Sequence, residues 1–105
     1  MSGAKAMPNK PLVVHRLARN EASAAFRWYR RRSPDAAVKF AAAVASAFEA
    51  IEKNPDSFPE YLGGTRRCLT KKFPYLVVYY EMPDCLLVVA VAHGRRKPGY
   101  WRRRL

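Results

Sequence analysis

The stretch "SPDAAVKFAAAVASAFEAIEKNP", Ser33 to Pro55, decides the fold. Ser33 suits a helix N-cap, Pro34 the first helical position, and Asp35 the positive end of the helix dipole. Ala37, Phe40, Ala41, Val44, Ala47, Phe48 and Ile51 then recur at three- and four-residue spacing, which gives a helix one apolar face. The many alanines raise helix propensity and permit close packing. Pro55 disfavours helical geometry at Asn54, so the helix stops there. Upstream, Ala18, Ala22, Ala25, Phe26 and Tyr29 repeat the same spacing, and Arg27, Arg30, Arg31 and Arg32 gather at the end where the dipole favours cations. Two amphipathic helices separated by about three residues predict an αα-hairpin.

On either side of the hairpin the character is strand. "LVVHRL" (Leu12–Leu17) reads as a short first strand from its β-branched content. "NPDSFPEYLGG" (Asn54–Gly64) is a loop by its Pro and Gly. "RRCLTKKF" (Arg66–Phe73) is the second strand or its approach, "YLVVYYEM" (Tyr75–Met82) the third and "CLLVVAVA" (Cys85–Ala92) the fourth, with Pro83–Asp84 as a tight turn. Apolar residues on both faces of the last two make them central in the sheet, with the first strand returning beside them. The order predicts an α+β fold: an N-terminal strand, an αα-hairpin, then an antiparallel β-meander, with the helices on one sheet. A flexible leader is expected over residues 1–10 and a single domain over 11–105.

Charge narrows the partners. Of 105 residues, 20 are Lys or Arg and 8 are Asp or Glu, a net of +12. Residues 65–105 hold ten cations against two acids, so two-thirds of the excess lies there. This favours acidic partners such as nucleic acid or an acidic protein segment. Carboxylates are too sparse for Mg²⁺ binding or carboxylate-led hydrolysis. Cys68, Cys85, His15 and His93 lack metal-site spacing, so no metal or other cofactor is expected. The N-terminus has no apolar secretory segment, and Cys85–Ala92 is too short to span a bilayer. A cytoplasmic location without membrane contact is the expectation.

The remaining chemistry is basic and aromatic: Arg66, Arg67, Lys71, Lys72, Tyr75, Tyr79, Tyr80, His93, Arg95, Arg96, Lys97, Tyr100 and Trp101. A metal-free ribonuclease uses such groups. A Lys, His or Tyr takes the proton from a ribose 2′-hydroxyl, and Arg neutralises charge on the phosphate. Aromatic rings stack bases. The same residues also have structural readings. His93 suits a strand end that bonds a neighbour, the tyrosines suit packing, and Trp101 suits a ring that pins the tail onto the sheet.

Together, Ala18, Phe26, Trp28–Tyr29, Ala37, Phe40, Ile51, Asn54–Pro55, Phe58–Pro59, Arg66–Arg67, "KFPYLVVYY" (Lys72–Tyr80) and "VAVAHGRRKPGYWRRR" (Val89–Arg104) resemble the RelE/ParE superfamily of toxins from type II toxin–antitoxin modules. The likeness covers nearly the whole chain after residue 11. It implies the fold read above and a cognate acidic, ParD-like antitoxin, for which Phe26, Tyr29, Tyr79 and Arg95 are the implied contacts. RelE-like members cut mRNA on the ribosome; ParE-like members poison DNA gyrase. The Ala-rich second helix and basic tail resemble the ParE-like branch. That branch implies a target surface of Arg66, Arg67, Arg95, Arg96, Tyr100 and Trp101. The RelE-like branch implies a nuclease built from Lys71, Lys72, His93, Arg95, Arg96 and Tyr100. A plain basic binding module is the third reading.

Overall fold

A computed structural model describes residues 10–105. The expected leader lies outside the described residues except for Lys10, whose Nζ meets the Glu81 carboxylate at 2.9 Å. The elements are β1 (Leu12–Val14), α1 (Arg16–Arg32), α2 (Pro34–Lys53), β2 (Arg66–Leu69), β3 (Tyr75–Glu81) and β4 (Leu86–His93), with 3₁₀ turns at Leu62–Gly64 and Arg102–Arg104.

The hairpin turns more tightly than the sequence suggests. Ser33 alone connects the helices: its N–H donates to Tyr29 O (2.8 Å), ending α1, while its Oγ accepts from Ala36 N (3.3 Å), starting α2. One residue satisfies an orphan group of each helix. At the other end α2 stops at Asn54, before Pro55. The first strand is shorter than predicted. His15 Nδ1 accepts from Leu17 N (3.0 Å), so the imidazole caps α1 and the helix takes Arg16 and Leu17. That cap outweighs the β-branched run before it.

The strand order is β1-β4-β3-β2, which puts β3 and β4 in the centre. β2, β3 and β4 pair antiparallel, but β1 runs parallel to β4, so the sheet is mixed, not wholly antiparallel. Ala18 of α1 and Ala47 and Ile51 of α2 close over Val77, Tyr79, Leu86, Val88 and Val91 on one face. Because β4 is apolar on both faces, the other face needs its own cover. Trp101 supplies it, packing on Val78, Val89, Ala90 and Ala92. The register slips between Val78 and Tyr79, which pair with Ala90 and Val88, so Val89 is a bulge residue. The bulge turns Val89 and Ala90 to the same face, under the indole.

A length mismatch sets up the site. β1 spans three residues and β4 eight. The last rung between them is His15 N–H to Val88 O at 2.9 Å. Past Val88 the β1 side of β4 has no strand, and its buried backbone groups need other partners.

Candidate functional site: the basic end of the sheet

β4 ends at His93, opposite Tyr75 at the start of β3. Gly94 N–H donates to Pro74 O (2.7 Å), which ties the exit from β4 to the turn between β2 and β3. The chain then reverses: Arg96 N–H donates to His93 O (3.0 Å) and Arg95 N–H to His93 Nδ1 (3.0 Å). His93 thus takes the strand-end role, with its ring edge-on to Tyr75 at 5.2 Å. Arg95, Arg96 and Lys97 stand exposed on this turn, and Lys71 and Lys72 are exposed on the adjoining one. Gly99 (φ +88°) then bends the tail back, a left-handed conformation that favours glycine.

One carboxylate holds the returning tail, and the sequence reading passes over it. Glu21 of α1 accepts from Tyr100 Oη (2.7 Å) and from both terminal nitrogens of Arg104 (3.0 Å each). It also accepts from Val91 N (3.0 Å), and Arg96 Nη1 lies 3.6 Å away. Arg104 Nη1 donates to Val89 O (2.9 Å) as well. Glu21 and Arg104 therefore bind the backbone groups of β4 that the short β1 leaves open. The two side chains are 16% and 13% exposed, so their paired bonds act in a partly dry environment. Burial, then the Glu21 carboxylate that it faces, pushes the Tyr100 phenol well above the usual range. A signal for Glu21 was present: it falls between Ala18 and Ala25 at three- and four-residue spacing, on the apolar stripe of α1.

Between α1 and the tail lies a cleft of about 620 Å³, with Trp28 on one wall, Arg96 and Tyr100 on the other, and Tyr75, Val91 and His93 between. Arg32 covers the Trp28 ring at 4.0 Å and Arg96 the Tyr100 ring at 3.6 Å. Of the residues expected in a nuclease, the cleft gathers His93, Arg96 and Tyr100; Lys71, Lys72 and Arg95 do not line it. Among the described residues, no His, Cys, Asp and Glu side chains gather in a group able to hold a metal ion.

The remaining expected residues scatter. Arg66 pairs with Tyr79 and His93 with Tyr75, four residues apart along β3, or about 13 Å. Arg66 and Arg67 thus sit away from the basic turn. Arg66 donates to Phe58 O (2.7 Å), and Arg67 stacks on Tyr61 (4.9 Å). Trp101 and Tyr79, expected at partner-facing surfaces, are each 1% exposed and present no surface to a partner. The indole pins the tail to the sheet. Tyr79 is core, its hydroxyl donating to Pro55 O, and burial pushes its pKa up to about 12. Phe26 lines an apolar groove of about 410 Å³ between α1 and α2. Tyr29 stands in an aromatic cluster, 5.2 Å from Phe40 and 5.1 Å from Phe73.

A family model described as ParE toxin of type II toxin–antitoxin system, parDE, matches residues 12–98. Among solved structures, one titled "Chromosomal ParDE TA system from P. aeruginosa" superposes with a TM-score of 0.71 at 12% identity, covering 80% of this chain and 95% of that one. At that identity the likeness is one of fold. No curated protein matches the chain. Among the described residues, no helix is long and apolar enough to cross a membrane.

Proposed function

This chain belongs to the family of ParE toxins of type II toxin–antitoxin systems, and from that premise we propose that its target is DNA gyrase, engaged by protein–protein contact at the basic end of the sheet. The contact surface is the turn carrying Arg95, Arg96 and Lys97, with Lys71 and Lys72 beside it. Arg66 and Arg67 form a separate, outlying part. Trp101 supports the surface from beneath and touches no partner.

The observation that carries this reading is the state of Tyr100. Its hydroxyl donates to Glu21, and its acidity is suppressed by burial and by that carboxylate. A phenol so placed is unsuited to take a proton from a ribose hydroxyl. A cationic turn held on a rigid support instead suits recognition of an acidic protein surface. Neutralisation falls to a cognate antitoxin with an acidic segment. Phe26 on the α1–α2 groove and exposed Arg95 are its contacts, with Tyr29 behind them as support.

The test is paired: purified protein is added to gyrase with supercoiled DNA, and separately to translating ribosomes. Trapped, cleaved DNA beside intact mRNA is the expected result; mRNA cut at codon positions with gyrase unaffected overturns the reading. Replacing both Arg95 and Arg96 by Ala leaves the fold intact and removes growth arrest. Arrest retained at equal expression rejects the surface.

A further inference from the structure

We propose that Glu21 is the positioning residue of the toxin surface: it holds Arg96 of the cationic turn, and the tail that returns from it, without itself contacting the target. This rests on the reading that the basic end of the sheet faces the target. Glu21 lies on α1, while everything it binds belongs to the last strand and the tail.

The carboxylate has four oxygen lone-pair directions, and the neighbouring donors use them. Val91 N–H ties it to β4, Tyr100 Oη to the bend, and Arg104 to the chain end. The consequence for the surface runs through Tyr100. The Arg96 Cζ sits over that ring, 3.6 Å from its centre, and Nη1 lies 3.6 Å from the same carboxylate. Its guanidinium therefore has a defined place although its side chain is 54% exposed. An exposed arginine without such support samples many rotamers and loses that freedom on binding. Glu21 removes the loss in advance for Arg96.

Stability alone does not require this arrangement. Trp101 already anchors the tail to the far face of the sheet. The carboxylate acts on the segments flanking that anchor, Arg96–Tyr100 before it and Arg102–Arg104 after it. A buried acid binding two arginines and a tyrosine sets their directions, at a desolvation cost that an apolar contact avoids.

The experiment uses the full chain carrying Glu21→Gln, which keeps the shape and removes the charge. Amide exchange across residues 98–105 is expected to quicken by about tenfold or more, with β3 unchanged. Growth arrest at equal expression is expected to fall by about tenfold or more, toward the level of the Arg95→Ala/Arg96→Ala variant. Glu21→Asp, which keeps the charge and both acceptor oxygens, is expected to retain more of both protection and arrest than Glu21→Gln. Retention in Glu21→Asp, with β3 exchange unchanged in both variants, separates positioning from general destabilisation. Unchanged exchange in Glu21→Gln overturns the proposal. So does full arrest with a loosened tail, provided that Arg95→Ala/Arg96→Ala abolishes arrest. If that double variant also arrests growth, the surface reading itself fails. Should Glu21→Gln not fold, Tyr100→Phe, which keeps the ring and removes only its bond to Glu21, decides by the same two readouts.

Discussion

Replacing Trp101 by Ala is expected to remove a large share of this protein's stability, although Trp101 lies near the end of the chain in a segment that is otherwise Arg-rich. The indole is 1% exposed and covers Val78, Val89, Ala90 and Ala92, with Tyr61 at 5.9 Å between centroids. A buried tryptophan removes about 150–250 Å² from water, or about 4–6 kcal/mol at about 25 cal/mol per Å². Large-to-small aromatic truncations in cores cost about 3–5 kcal/mol. A domain of this size has about 5–15 kcal/mol in total. At about 4–8 °C per kcal/mol, a loss of about 4 kcal/mol lowers Tm by roughly 15–30 °C. Thermal and urea melts followed by far-UV circular dichroism measure it. Trp28→Ala is the control: the same side chain at 43% exposure, expected to cost about 1 kcal/mol or less. Dye binding to exposed apolar surface is expected to rise in the Trp101 variant only, since the helix-side cluster is a separate set of contacts. A Trp101→Ala protein that melts within a few degrees of the parent would refute the claim that the tail is structural cover for the sheet.

Other perturbations test other levels. Ser33→Ala removes the α2 cap and is expected to cost about 1 kcal/mol in urea unfolding. Lys72 has φ +66°, so Lys72→Gly is expected to stabilise by about 1 kcal/mol, read as a raised midpoint in urea unfolding. Alkali probes Tyr79, whose pKa is pushed up to about 12 from an ordinary 10 by burial. The folded state keeps the proton that the unfolded state releases. This contribution is therefore complete below pH 10 and lost as pH rises from 10 toward 12, about 2–3 kcal/mol in all. Tyr79→Phe is expected to flatten that part of the stability–pH curve, read from urea midpoints at pH 9 to 12.

The parts of this fold legible in the sequence are those set by neighbours along the chain. Ser33, Pro34 and Asp35 mark a helix start within one turn, and the α2 stripe names its own buried face: Ala37, Phe40, Val44, Ala47 and Ile51. The two-sided apolar character of β4 likewise forecasts a central strand. The end of β1 is not legible because the His15 imidazole accepts from the N–H two residues on, and that cap outweighs strand propensity, the weaker influence. The parallel pairing of β1 with β4 is a long-range choice with no local signature.

The site divides along the same line. The cationic turn is visible as composition, but what orders it is not. Glu21 meets its donors at sequence separations of 70 to 83 residues, which no spacing rule reaches. What sequence offers is a conflict: a lone carboxylate on the apolar stripe of a helix that otherwise carries only cations. Buried charge is tolerated only when paired, so such a residue implies that cations from elsewhere must arrive over it. The chain contains one segment with a dense enough supply of arginines beyond the last strand to do so, Arg95 to Arg104. The acid on α1 and the basic tail are thus two halves of one requirement. The tail folds back because the sheet needs an apolar cover and Glu21 needs a counter-charge, and Trp101 and Arg104, three residues apart, meet both needs in one turn.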